Sequence, residues 1–315
     1  MQFSPAVDAP VRDGGTARRS RLDSSRLRRE WLIALLLIAP VIFLRGLTGL
    51  WPIFDNAWIS LHQSNPTLGP DLYIGLDNYR QFFRSTIAQD TIFYTLFFTI
   101  LSTVLELILG LLIALLLNSR SRISVFGRTI NLIPWAIPVV VTGIAFRFGL
   151  DGQFGHFTYL FEKLTGASTS PLLEVWPARL AVVFTNVWRN APFVAIILLA
   201  ALQTIPEDLY EAARIDGANA FQMFRAITLP LITPITLSAG VFFLIWQIAN
   251  FDLVLSMTGG GPGKATQVLG YQAYLTAFGG LNFGYGAAIS MVLMAFVAIL
   301  GIIGGLLLRR SESWT

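Results

Sequence analysis

EAARIDGANAFQMFRAITLPLITP, residues 211–234, is the longest stretch of mixed polar and apolar character in a chain that is otherwise almost continuously apolar. Just upstream, Pro206-Glu207-Asp208-Leu209-Tyr210-Glu211 reads as a helix start. Proline stands early, and acidic side chains occupy the first turn, where the positive end of the helix dipole favours them. Ala212, Ala213, Ala218 and Ala220 are small helix formers, and Gly217 leaves a gap where a second helix or backbone can approach. Phe221 and Phe224, three apart, project from one face. Pro230 and Pro234 punctuate the return to apolar sequence. The pattern predicts a short helix, a bend at Gly217 and a second short helix. A segment of this kind in an apolar chain serves contact with something in water.

The spacing resembles the cytoplasmic coupling loop of ATP-binding-cassette importer permeases, whose signature is E-A-A, three residues, G, nine residues, then I-x-L-P. Glu211-Ala212-Ala213, Gly217 and Ile227-Thr228-Leu229-Pro230 stand at those spacings, and Asp216, Ala218 and Phe224 extend the match toward carbohydrate importers. The resemblance implies that Glu211, Ala212, Ala213, Asp216, Gly217, Ala218, Phe221, Phe224, Ile227, Leu229 and Pro230 couple the chain to an ATPase subunit. The competing reading of the same residues is an amphipathic linker between two spans.

The whole chain agrees with a membrane setting. Its 315 residues are 54% hydrophobic and 13% charged, against roughly 25% charged in soluble domains. The absence of cysteine excludes a disulfide framework, a thiolate metal site and a cysteine nucleophile. Two histidines, His62 and His156, are too few to build a metal site alone. The net charge of +4 is not a nucleic-acid signal, because the basic residues gather where membrane topology places them.

A membrane helix needs about 20 mostly apolar residues. Trp31 to about Leu61, Thr91–Leu117, Arg128–Gly149, Arg179–Gln203, Ile235–Met257 and Tyr285–Leu308 meet that need, which gives six spans and puts both termini on one side. The basic residues choose the side. Arg12, Arg18, Arg19, Arg21, Arg26, Arg28 and Arg29 precede the first span; Arg120, Arg122 and Arg128, then Arg214 and Arg225, then Arg309 and Arg310 fall on the same side. The opposite loops hold Arg80, Arg84, Lys163 and Lys264. Both termini and the 204–234 loop are therefore expected in the cytoplasm. Residues 1–30 read as a disordered arginine-rich tail, 31–310 as one transmembrane domain and 311–315 as a C-terminal tail. The first apolar run is longer than a signal-peptide core and lacks a small-residue cleavage site, so it reads as an uncleaved span.

Two polar clusters interrupt the spans. In WQIANFDLVLSMTGGGPG, residues 246–263, Gln247, Asn250 and Asp252 sit inside apolar sequence. Residues of this type in a span usually face a bundle interior or a water-filled cavity. Trp246 and Asn250 lie i, i+4, and Gln247 and Asn250 lie i, i+3, so one face carries an aromatic platform beside two amides. That set suits a sugar, whose C–H face packs on the ring while amides satisfy hydroxyls. Asn186, Trp188, Arg189, Asn190, Pro192 and Phe193 form a similar cluster, in which Pro192 can bend the helix toward a cavity. The alternative is that these groups glue helices together, with Arg189 neutralising Asp252. In maltose-type permeases, the positions that touch sugar match Arg189, Asn190, Phe193, Trp246, Gln247, Asn250 and Asp252. The residue types differ at several, including Arg189 and Asp252, so substrate identity does not carry over.

Gly259-Gly260-Gly261-Pro262-Gly263 is no phosphate loop, since Lys264 is followed by Ala265 rather than Ser or Thr. Thr258 to Thr266, like Gly75-Leu76-Asp77-Asn78-Tyr79, is instead similar to outer segments of sugar-importer permeases. Glu106 and Arg45 are isolated charges within spans two and one; they could pair with each other or line the path, but such groups are more often structural, and both are left outside the site. The expectation is an all-α membrane protein with the architecture of a type I ABC importer permease. It implies a carbohydrate substrate, a second homologous permease chain, two ATPase subunits holding ATP and Mg, and an extracytoplasmic solute-binding lipoprotein in a bacterial inner membrane. No cofactor is expected on this chain, and no catalytic or metal-binding residue. The rival reading is a gradient-driven transporter or channel, which has no use for a docking loop.

Overall fold

Lipid offers no hydrogen bonds to a backbone, so a chain this apolar is driven to helices that satisfy their own peptide groups. In the computed structural model, which describes residues 19–119, 122–165 and 170–312, five helices are long and apolar enough to cross a membrane. A pair bent by 86°, Phe126–Ala136 with Val139–Gly149, makes a sixth span when taken as one. The elements run α1 (Arg19–Arg45), a π-helical turn (Gly46–Leu50), α2 (Trp51–Ile59), β1 (His62–Gln63), β2 (Leu72–Tyr73), α3 (Asp77–Arg84) and α4 (Thr86–Leu117). Then follow α5 (Arg122–Asn131), α6 (Ile133–Ala136), α7 (Val139–Gly149), α8 (His156–Thr165) and α9 (Val175–Leu202). The chain ends with α10 (Glu207–Ile215), α11 (Ala220–Met223), a π turn (Phe224–Thr228), α12 (Leu229–Ala249), α13 (Asp252–Met257), α14 (Leu269–Tyr274), a π turn (Leu275–Gly279) and α15 (Phe283–Glu312).

Residues up to Asp55 form one unit and Asn56 onward another. The first carries its apolar side chains outward, Trp31, Leu36 and Phe43 among them. Its α1 begins at Arg19, inside the stretch expected to be disordered; the rest of that tail, residues 1–18, lies outside the described residues, as do 313–315 of the C-terminal tail.

In the second unit, α9 is the central helix. Two-thirds of its most apolar window, 67%, is buried, against 28% for the window of α4. Their contact explains a pattern that apolarity alone hides. The buried face of α4 is Ala88, Thr91, Thr95, Thr99, Ser102, Thr103, Glu106, Gly110 and Ala114, with Tyr94 and Phe98. Small and hydroxyl-bearing residues at i, i+3/i+4 spacing let two helices approach closely in a membrane. At Gly110 a Cβ would stand 2.5 Å from Val194 Cγ1. α12 packs on α4 and α15, and α7 on α13.

Two breaks shape the interior. The span-three bend follows from Pro138: the residue before proline is pushed out of the helical region, and Ile137 is extended at φ −72°, ψ 130°. The fifth span, expected to be continuous over Ile235–Met257, is interrupted. Asn250 is extended at φ −82°, ψ 124°, and α13 restarts at Asp252. No proline marks this site. Phe251, not Asn250, is the N-cap of α13 and makes no side-chain cap bond; the one local signal is Asp252 in the first turn, at the positive end of the helix dipole.

The end opposite the 204–234 segment is pinned by side chains. Asn78 Nδ2 donates to the carbonyls of Ser60 (2.8 Å) and His62 (3.0 Å), and Tyr79 Oη bonds Ser60 Oγ at 2.7 Å. These contacts hold the two-residue antiparallel ladder of β1 and β2, a small departure from an all-helical chain. Arg179, at the start of α9, bonds both oxygens of Asp90 at 2.7 Å and the Ala265 carbonyl at 2.8 Å. It thereby ties α4 and α9 to the connection between α13 and α14.

Candidate functional site

The Glu211–Pro230 segment is built from two caps placed back to back. α10 ends in a Schellman motif: Gly217 N donates to Arg214 O (3.1 Å) and Ala218 N to Ala213 O (2.9 Å). Gly217 holds φ +79°, a left-handed value at which a side chain is strained. Asn219 then opens the next helix with a capping box, its Oδ1 accepting from Gln222 N at 2.9 Å and Gln222 Oε1 from Asn219 N at 2.8 Å. The second helix is not short. From Ala220 it runs through the π turn into α12 as one 30-residue element, so Pro230 falls in its early turns and Pro234 inside it. Tyr210 Oη bonds Thr228 Oγ1 at 2.9 Å, tying α10 to that element.

Glu211, Ala212, Asp216, Gly217, Phe221, Leu229 and Pro230 are exposed, whereas Ala213, Ala218, Phe224 and Ile227 are half-buried. Phe221 and Phe224 therefore differ in surroundings, because the π turn begins at Phe224. Ile215, not singled out in the sequence, is 87% exposed beside Phe221 at 69%. A Cβ built on Gly217 meets nothing within 4 Å. The double-capped loop exposes Ile215 and Phe221 together with Asp216, Gly217 and Asn219.

The polar clusters of α9 and α12 divide into a wall and a layer behind it. Arg189, Trp246, Asn250 and Asp252 share a cavity of about 480 Å³, with Val139, Phe242 and Phe251. Trp246 stacks on Phe242 at 5.9 Å, leaving its ring 55% exposed. Arg189 does not pair with Asp252. Its Nε and Nη2 reach the carbonyls of Ile137 (3.3 Å) and Trp135 (3.4 Å), freed where Pro138 breaks the helix, and its Nη1 donates to Asn190 Oδ1 at 2.9 Å. A cation at a helix C-terminus is the favourable arrangement. Phe193 stands apart from the cavity wall, stacked on Trp135 at 4.7 Å and 10°.

Asn190 and Gln247 are buried and turned away from the cavity toward Glu106. Glu106, set aside in the sequence as an isolated charge, is where α4, α9 and α12 converge. The signal that could have found it is the run of polar residues at helical spacing, Thr99, Ser102, Thr103 and Glu106, inside an apolar span.

Known proteins resemble the chain in sequence and in fold. The family described as "Binding-protein-dependent transport system inner membrane component" matches residues 106–313. The trehalose/maltose transport system permease protein MalF of Thermococcus litoralis is 35% identical over 282 residues, covering 89% of this chain and 94% of its own length. The sulfoquinovosyl glycerol transport system permease protein SmoG of Agrobacterium fabrum is 33% identical over 284 residues, 87% of this chain and 92% of that protein. A crystal structure of a bacterial ABC transporter involved in the import of the acidic polysaccharide alginate has the same fold, with a TM-score of 0.78 at 23% identity over 92% of this chain and 99% of that one. Matched by that family over about two-thirds of its length and 35% identical to one curated relative over 89% of it, the chain belongs to the family of inner membrane components of binding-protein-dependent transport systems.

Proposed function

We propose that the chain passes a carbohydrate through the membrane as one subunit of an ATP-driven importer, and that the Arg189–Trp246 cavity is where the solute is held. The observation that carries this is the convergence of an aromatic plane, a guanidinium, an amide and a carboxylate from α9, the α12 break and α13 on one cavity. A sugar uses all four: a C–H face for Trp246, hydroxyls for Asn250 and Asp252, and an oxygen or anionic group for Arg189. Both reported relatives carry names of sugar-containing solutes, which supports the class. Asn190 and Gln247 support the wall from behind rather than meet the solute.

On this reading, Glu211–Pro230 faces the cytoplasm and seats in a groove of an ATPase subunit, where ATP and Mg act. One such loop per chain calls for a second homologous permease chain above a pair of ATPases, with a solute-binding lipoprotein delivering sugar on the other side. Closure of the ATPases moves the spans as rigid bodies, alternating access to the cavity.

The test is uptake of labelled maltose, trehalose and sulfoquinovosyl glycerol by the complete complex in proteoliposomes, with ATP inside and then with an ion gradient alone. ATP-dependent uptake of one of them, weakened at least tenfold in apparent affinity by Trp246→Ala with Asn250→Ala, is expected. Unchanged affinity removes these residues from the site. Uptake driven by the gradient alone supports the secondary-transporter reading instead.

A further inference from the structure

Glu106 lies at the junction of three spans, fully buried. All its hydrogen bonds fall on one oxygen: Oε1 accepts from Asn186 Nδ2 at 3.0 Å, Asn190 Nδ2 at 3.2 Å and Gln247 Nε2 at 2.6 Å. Oε2 has no partner, and neither has the buried Oε1 of Gln247. A buried amide without an acceptor is expensive, and linked hydrogen bonds in a low dielectric strengthen one another. The carboxyl therefore dictates where three amides stand.

Two of those amides lead to the cavity. Asn190 Oδ1 accepts from Arg189 Nη1 at 2.9 Å, so the first arm ends on the cation in the wall. The backbone carbonyl of Gln247 accepts from Asn250 N at 3.1 Å, the contact at which α12 stops and the chain turns out into the cavity. The charges on this network are Arg189, one hydrogen bond beyond Asn190, and Asp252, two residues past Asn250; α12 presents the uncharged Gln247.

We infer that Glu106 is a positioning residue for translocation: through Asn190 and Gln247, its single accepting oxygen sets the places of Arg189 and of the Asn250 break in the cavity wall. This rests on the cavity being the solute site. It does not rest on the second oxygen, so a glutamine of equal reach should serve. The glutamine carbonyl replaces Oε1 and keeps all three amides paired, while its NH₂ takes the unpartnered place of Oε2 at the cost of one buried donor. Leucine, of similar size, takes the Glu106 acceptor from all three amides and leaves Asn190 only its 3.2 Å bond to Asn186 Oδ1.

The chain has no cysteine, so one introduced at the break reports on it directly. In the complete complex carrying Ile248→Cys, a position buried in the last turn of α12, the rate of labelling of this chain by N-ethylmaleimide is measured for Glu106→Gln and Glu106→Leu. The rate should stay within about twofold of the parent for Glu106→Gln and rise about tenfold for Glu106→Leu, because the break loosens when its anchor goes. Equal acceleration by both, or by neither, overturns the inference. If Glu106→Leu fails to assemble, Gln247→Leu cuts one arm alone and should raise the rate; an unchanged rate there overturns it equally. The labelling needs no solute, so failure of the cavity reading shows separately, as unaltered uptake affinity in Trp246→Ala with Asn250→Ala.

Discussion

Gly217 separates two explanations that the signature alone conflates. Its backbone φ of +79° requires glycine or a tolerant substitute, and its Cβ direction is open, with nothing within 4 Å. If conformation were the whole requirement, alanine would cost about 1–2 kcal/mol for entering the left-handed region. That is roughly a five- to thirtyfold loss in the population of the double cap. Asparagine, which visits that region readily, would cost less. Among the described residues nothing lies within 4 Å of a Cβ at this position. A partner surface closing on the bare Cα reverses the order, since asparagine and aspartate are larger than alanine and bring polar groups into the contact. The assay is ATP hydrolysed per solute taken up by the complete complex in proteoliposomes. The expected order of wasted hydrolysis is Gly217, then Gly217→Ala, then Gly217→Asn, with Gly217→Asp worst. An order in which Gly217→Asn matches the parent and Gly217→Ala is worse would refute docking at Gly217 and leave only a backbone requirement.

Tyr210→Phe removes a side-chain tie between α10 and the π turn, a hydrogen bond of 2.9 Å worth about 1 kcal/mol. Amide exchange across Glu207–Ile215 should quicken about fivefold, and unchanged exchange would show that the caps alone hold the helix. Gly110→Val places a Cβ 2.8 Å from Val194 Cβ and 3.2 Å from the Ala195 backbone nitrogen. Because backbone cannot rotate away, the α4–α9 contact should weaken by about 1–3 kcal/mol. Thermal dissociation of the membrane-embedded complex measures this, and an unshifted midpoint would show that the two helices slide to make room.

Some of the site was readable because its chemistry is local. Gly217 and Asn219 are a C-cap and an N-cap whose partners lie within five residues, so sequence spacing carries nearly all their geometry. The short second helix was misjudged for a related reason. Pro230 and Pro234 look like stops, yet the helix from Ala220 continues through both, although proline lacks the N–H and crowds the preceding turn. The π turn at Phe224–Thr228 absorbs the mismatch ahead of it. Trp246 and Asn250 also lie near each other by helical spacing, and the structure places both at one cavity.

Glu106 was not readable in that way, since its partners stand 80, 84 and 141 residues away. Nor was the choice of Arg189 for the carbonyls of Trp135 and Ile137 over the nearby Asp252, which depends on where the Pro138 bend points its unpaired oxygens. What the sequence by itself determined is the set of spans and the caps of the exposed loop, because the bilayer demands apolar length and caps demand only neighbours. Which polar residues face the cavity and which stand behind it was decided by the tertiary structure alone. An amide in a span is satisfied by whatever group the next helix brings within reach, and that is a matter of helix packing, not of spacing along one chain.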